Sequence, residues 1–187
     1  GWHPMHHLGR RLSGKTLGVV GMGRIGRAVA RRAVHGFGMR LLYASRTELP
    51  AGEAAALDAV HVEVDRVFAE SDVVSLHVPS SGETRHLVDA RRLELMPPHG
   101  ILINTSRGDV VDEGALVDAL ARGVIAGAGL DVYAEEPRVH PGLLALQNVV
   151  LLPHLGSATV ESRIAIGMRA FENLVAWSDG RELPDRV

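Results

Sequence analysis

Short β-branched runs alternate with stretches of helical period along the chain, and this alternation restricts the fold more than any other feature. Strands are predicted over residues 16–20, 40–43, 60–62, 72–77, 101–104, 125–131 and 149–152, and helices over 24–34, 65–70, 90–96, 113–121 and 159–177. Strands separated by helices of about ten residues imply right-handed βαβ crossovers and a parallel sheet. Val19-Val20 and Ile101-Leu102-Ile103 offer apolar side chains to both faces, as strands covered by helices on each side must. The expected architecture is α/β, a doubly wound parallel sheet. With 187 residues, 46% of them apolar, the chain can build one core, and no repeat, low-complexity tract or second domain is visible.

A net charge of -2 gives no electrostatic reason to expect nucleic acid or an anionic membrane as partner. The absence of cysteine excludes disulfides and thiolate zinc sites. Apolar stretches such as 124–130 are too short to span a bilayer, and no secretion pattern opens the chain, so a soluble, cytoplasmic protein is expected. The chain starts at Gly1, and residues 2–11 read as a polar, His-rich lead-in with the look of a cut end. His3, His6 and His7 are not followed by a carboxylate or a further histidine at ligand spacing, so no metal site is expected.

The first predicted strand ends at Val20 and feeds into Gly21-Met22-Gly23-Arg24-Ile25-Gly26. In that position Gly21 takes the tight turn, Gly23 lets backbone approach a pyrophosphate, and Gly26 lets the helix pack on the strand. The free N–H groups of the helix terminus then face the phosphates, with Arg24 adding positive charge. Strand before, helix after and a second strand at the proper distance make this a Rossmann-type dinucleotide site rather than a mere tight turn. The second strand should end in an acid if the ribose hydroxyls of NAD are to be bound. Here Ser45 stands in that place, followed by Arg46 and Thr47. A hydroxyl and a guanidinium can bind a 2′-phosphate that a carboxylate would repel, so NADP(H) is expected to be preferred, with NAD(H) possible. The alternative is that Arg46 only stacks on the adenine and both cofactors serve.

Three polar residues follow later strands: Arg107 in Asn-Thr-Ser-Arg-Gly, Glu136 before Pro137, and His154 in Pro-His-Leu-Gly-Ser. Arg107 offers a planar fork that can hold a carboxylate while polarising an adjacent carbonyl. His154 can donate a proton as hydride arrives, and Glu136 can orient the imidazole and favour its charged form. Singly, each reads equally as a surface ion pair, a solvated loop acid and a core histidine. Together, after separate strands on the edge that bears the glycine turn, they suit hydride transfer to a 2-keto acid. Asp131 either caps its turn or contacts the nicotinamide amide. Asp112 and Glu113 are expected to serve a helix amino terminus.

With these residues in place, the chain resembles the D-isomer-specific 2-hydroxyacid dehydrogenases, a family that includes phosphoglycerate dehydrogenase and glyoxylate/hydroxypyruvate reductase. The resemblance runs from the 17–26 glycine segment through His77-Val-Pro79 with Thr84, the 103–114 segment around Arg107 and Gly129-Leu-Asp-Val-Tyr-Ala-Glu-Glu-Pro137 to Pro153-His-Leu-Gly-Ser157. It implies that Arg107 binds substrate, that Glu136 supports His154, and that His154 is the acid-base group. It also implies cofactor contacts from Arg24, Ile25, Ser45, Arg46, Thr47, Val78, Pro79, Thr84, Thr105, Ser106, Asp131, Gly156 and Ser157. The Ser-Arg-Thr ending looks most like the NADP-using glyoxylate/hydroxypyruvate reductases and departs from the NAD-linked phosphoglycerate dehydrogenase pattern.

Members of that family are longer, so the resemblance implies that residues 1–187 are a dinucleotide-binding domain. Residues 1–14 would lead in from a separate substrate domain, and 159–187 would form a terminal helix and trimmed tail. Alone, such a chain should bind NADP(H) and turn over little. A homodimer is expected by analogy, through residues 2–8 and the helix at 113–121. The competing reading is a nucleotide-sensing corepressor-type binding module, since relatives of that kind can retain the same three polar residues.

Overall fold

The computed structural model describes His3 and residues 8–185. His6, His7 and most of the expected 2–8 dimer segment lie outside the described residues. Two compact units are present, Gly1–Pro153 and His154–Val187.

The first unit holds the whole sheet. Its elements, in order, are β1 (Thr16–Val20), α1 (Arg24–Phe37), β2 (Arg40–Ala44), α2 (Ala51–Ala56), β3 (Ala59–His61), α3 (Val64–Glu70) and β4 (Val73–Leu76). There follow α4 (Ala90–Leu95), β5 (Ile101–Asn104), a 3-10 turn (Gly108–Val110), α5 (Glu113–Ala121), β6 (Gly127–Leu130), α6 (Pro141–Leu144) and β7 (Val149–Leu151). The sheet has 7 strands in the order β3-β2-β1-β4-β5-β6-β7. Every neighbouring pair is parallel. The order reverses between β1 and β4, so a crevice opens at the carboxyl ends of these two strands, the usual ligand position in such sheets.

Two cores sit on opposite faces. Val67 and Phe68 of α3, Leu93 of α4 and Leu116 of α5 pack with Val74, Leu76 and Leu102 on one side. Ala30 and Ala33 of α1 and Leu57 after α2 pack with Leu17, Val19 and Leu41 on the other. Each fully buried Leu, Val or Phe contributes about 1.5–3 kcal/mol of apolar burial. The strand residues divide between the two cores by strict alternation, as the pleat requires.

Element types agree with the sequence reading: β1, β5 and α5 keep the predicted bounds, and the other ends shift by at most three residues. Two helices were not anticipated. Pro50 precedes α2, which reaches the core through Ala54 and its C-terminal neighbour Leu57. Pro141 opens α6, and the His140 ring accepts the Gly142 N–H at 3.1 Å. Neither repeats an apolar period, α2 being Ala-Gly-Glu-Ala-Ala-Ala and α6 only four residues, so their packing reveals them.

In the second unit, α7 (Val160–Ser178) begins at Thr159, whose side chain accepts the Ser162 N–H. The segment after α7 is tied back to it: Arg169 Nε donates to Asp185 at 2.5 Å, and Asn173 Nδ2 donates to the same carboxylate at 2.9 Å. No described helix is long and apolar enough to cross a membrane.

Candidate functional site

The glycine turn sits at the crevice between β1 and β4, clamped by both neighbours of β1. Gly21 N–H donates to the Ala44 carbonyl at 2.9 Å, and His77 N–H donates to the Val20 carbonyl at 2.7 Å. The three glycines do different things. Gly21 has φ +97, and a Cβ there would lie 2.5 Å from the His77 carbonyl oxygen. A Cβ at Gly26 would lie 2.2 Å from the Gly21 carbonyl oxygen, so this glycine permits helix α1 to pack on the turn. A Cβ at Gly23 would meet nothing within 4 Å, so its face is open to an incoming group.

The start of α1 has neither a side-chain cap nor an acid in its first turn. Arg24 and Ile25 are exposed there. Placing an arginine at this positive end of the helix costs roughly 0.3–1 kcal/mol, which a bound anion reverses. Arg27 and Arg31 of the same helix face Glu53 at 3.3 Å. Among the described residues, Arg24 and Arg46 have no acidic partner. The open glycine face, the uncapped helix end and the uncompensated cation together suit a pyrophosphate.

Ser45, Arg46 and Thr47 leave the end of β2 as expected, with Arg46 and Thr47 exposed. Tyr43 OH accepts the Leu49 N–H at 2.9 Å, which fixes the far end of this loop. After β4, Thr84 holds the turn that presents Val78 and Pro79. Its hydroxyl donates to the Pro79 carbonyl at 2.6 Å and accepts the Ser81 N–H at 2.8 Å. Thr84 thus acts on its own loop as a brace.

The loop after β5 is built around Asn104. Its Oδ1 accepts from the Ser106 N–H at 3.0 Å and from Ser106 Oγ at 2.8 Å, while its Nδ2 donates to the Arg107 carbonyl at 2.9 Å. Ser106 is buried, whereas Thr105 and Arg107 are exposed. Arg107 donates to the Ser106 carbonyl at 2.6 Å. The next residue, Gly108, is wedged against the loop after β6: an added Cβ would lie 1.8 Å from the Tyr133 carbonyl carbon. Glu136 Oε1 accepts the Tyr133 N–H at 3.1 Å, and Glu113 Oε1 accepts the Ala134 N–H at 2.8 Å. Tyr133 OH donates to the Leu152 carbonyl at 2.8 Å. The loops of Arg107 and Glu136 are therefore one packed assembly. Asp112 caps α5 by accepting the Ala115 N–H at 3.0 Å, whereas Glu113 instead ties α5 to this assembly.

Asp131 is buried at the end of β6, and Thr105 lies beside it at the end of β5. Both line a hollow of about 430 Å³ over β5, β6 and β7, whose lining is apolar apart from these two and Asn148, with Ile103, Gly129 and Val150 in one row. His154, Gly156 and Ser157 open the second unit. His154 takes a left-handed backbone conformation with φ 55, uncommon outside glycine and, in non-glycine residues, often found where function fixes the geometry.

Several contributors were not singled out from sequence. Gly108 was visible only as part of a motif. His77 faces Ser75 beside the glycine turn, with Nε2 2.9 Å from its Oγ, and burial pushes the imidazole below its ordinary range. His61, on the neighbouring strand β3, contacts the Ser45 carbonyl. The strand predicted over 60–62 already carries His61, but no local signal tied it to Ser45.

A glycine turn at the switch point of a doubly wound parallel sheet defines this chain as a dinucleotide-binding α/β domain. Residues 1–156 match the model of the D-isomer specific 2-hydroxyacid dehydrogenase NAD binding domain, and the chain belongs to that family. It is 51% identical over 187 residues to the glyoxylate reductase of Thermococcus litoralis, covering 100% of this chain and 56% of that protein. Among solved structures, the TT0316 protein of Thermus thermophilus is 47% identical with TM-score 0.92, covering 100% of this chain and 58% of that one. The NADPH-dependent glyoxylate/hydroxypyruvate reductase of Sinorhizobium meliloti, solved with NADP and malonate, is 40% identical with TM-score 0.87, covering 93% and 53%. The chain spans about half the length of the curated relatives it matches.

Proposed function

We propose that this chain is the cofactor-binding half of an NADP(H)-preferring 2-keto acid reductase acting on glyoxylate-like substrates. The observation that carries the reading is the turn at β1. An open Gly23 face, an uncapped α1 and an exposed Arg24 stand at the switch point, and the packed loops of Arg107 and Glu136 extend from the same sheet. The likeness to glyoxylate reductases supports the substrate class.

In this reading Gly21, Gly23, Arg24, Ile25 and Gly26 hold the pyrophosphate, with Val78, Pro79 and Thr84 forming the opposite wall. Thr105, Ser106 and Asp131, together with Gly156 and Ser157, serve the nicotinamide end. A reduced nicotinamide held by these residues would supply the hydride for a substrate carbonyl carbon. Arg107 holds the substrate carboxylate by its planar fork and polarises the adjacent carbonyl. His154 gives the proton to the carbonyl oxygen, and Glu136, its carboxylate already oriented by the Tyr133 N–H, supports the imidazolium. Residues 1–14 and 159–187 belong, in the same reading, to the junction with a substrate-binding domain.

Preference for NADP(H) rests on Ser45 and Arg46. A hydroxyl stands where a carboxylate would otherwise meet the ribose, and Arg46 has no acidic partner among the described residues. The deciding experiment is oxidation of NADPH with glyoxylate or hydroxypyruvate by the full-length protein. Turnover with NADPH and either acid supports the reading, and absence of turnover with both acids and both nucleotides overturns it.

A further inference from the structure

His61 stands at the end of β3, next to the loop that leaves β2, and it engages that loop at two points. Its Nε2 lies 3.1 Å from the Ser45 carbonyl oxygen, and its Nδ1 lies 3.3 Å from Glu48 Oε1. Its ring rests against Tyr43 at 5.0 Å between centroids, and Tyr43 OH in turn accepts the Leu49 N–H. Strand register puts Tyr43 and His61 directly opposite. Both ends of the 45–49 loop are thus fastened, and Arg46 and Thr47 form its exposed tip.

Glu48 matters because of its sign. A carboxylate three residues past Ser45 would repel a 2′-phosphate held by Arg46, and it could instead accept from ribose hydroxyls. Both nitrogens of the His61 ring meet acceptors, Nε2 the Ser45 carbonyl and Nδ1 the Glu48 carboxylate. That contact occupies Glu48 and draws it towards β3.

We infer that His61 is a specificity-determining positioning residue: by pairing with Glu48 and bracing Ser45, it keeps the loop suited to a 2′-phosphorylated dinucleotide. The inference rests on the NADP(H) reading above. His61 acts through Glu48 and Ser45 and touches no reacting atom.

The test is a double-mutant cycle on the full-length protein, reading dissociation constants for NADPH and NADH by nucleotide fluorescence. His61→Ala should raise the ratio Kd(NADPH)/Kd(NADH) by about fivefold, the scale of one exposed ion pair. Glu48→Ala alone should leave the ratio within about twofold of the parent. Adding His61→Ala to Glu48→Ala should then cause only a small further change, because the acid that His61 restrains is gone. His61→Gln keeps a donor for the Ser45 carbonyl but loses the ring nitrogen that meets Glu48; it should shift the ratio in the same direction and serves if the alanine variant does not fold. The inference is overturned if both constants rise equally, if the ratio is unmoved, or if the double variant shifts as far as His61→Ala. Arg46→Ala in the same assay separates the two ideas. A parent ratio near one that Arg46→Ala leaves unchanged rejects the NADP(H) reading, while the change caused by His61→Ala is scored on its own.

Discussion

Gly108 and Tyr133 approach so closely that a side-chain carbon on the first would lie 1.8 Å from the carbonyl carbon of the second. Through this contact the loops after β5 and β6, which present Arg107 and Glu136, behave as one unit. The contact is backbone against backbone, so no rotamer change can relieve an added atom. Gly108→Ala should destabilise the protein by about 3 kcal/mol or more, at the upper end of overpacking costs. Urea unfolding would show this as a lower midpoint, and a loss below about 1 kcal/mol would mean that the loops can part.

Arg107→Lys keeps the charge and loses the fork. A point charge cannot hold a carboxylate at two points while polarising the neighbouring carbonyl. In the full-length protein, kcat/KM for glyoxylate should fall roughly 100-fold or more. Nucleotide affinity should stay within about twofold, since Arg107 serves the substrate. Equal loss of both would place Arg107 at the cofactor instead.

His154→Gln removes the proposed proton donor. A general acid of this kind contributes roughly 10²–10⁴-fold. Steady-state kcat should fall by that factor with NADPH binding retained, and a kcat within fivefold of the parent would assign proton transfer elsewhere.

Arg46→Ala should weaken NADPH binding about tenfold or more, the scale of a hydrogen bond to a charged group, and leave NADH binding nearly unchanged. Calorimetric titration with each nucleotide reads both values. Parallel weakening of the two would indicate adenine stacking.

Asp72 predicts the acid limb of stability. Burial pushes its carboxyl up, but the Thr16 N–H, the Lys15 ammonium and the His99 ring outweigh this and hold it below the ordinary carboxylate range. A carboxylate lowered on folding contributes its full stabilisation above the unfolded pKa, near 4, and loses it as pH falls through the folded value. Asp72→Asn should therefore cost about 1–3 kcal/mol near neutrality and flatten the fall in stability below about pH 5. Unfolding free energies of the two proteins that run parallel from pH 7 to pH 3 would exclude this role.

Much of the fold was legible because the pattern is local. The strands announce themselves by short apolar runs, β-branched in most though not in β2 (Arg-Leu-Leu-Tyr-Ala) or β6 (Gly-Ala-Gly-Leu), and the glycine turn by its spacing after β1. The helices α2 and α6 are not legible in sequence, because an alanine-rich stretch of six residues and one of four repeat no apolar period. The site was legible in its named groups and much less so in its supports. Thr84 bonds to its own turn, and Glu113 reaches the Ala134 N–H rather than only its own helix end. Neither role follows from residue type.

Sequence by itself determined the alternating elements, the glycine turn and the chemistry available at Arg107, Glu136 and His154, because helical period, strand period and side-chain functional groups are properties of short segments. Only tertiary structure decided that Gly108 meets Tyr133 and that His61 meets Ser45 and Glu48. Those contacts join residues far apart in the chain, and they exist because strand order and register, set by burial on both faces of the sheet, bring particular loop ends side by side.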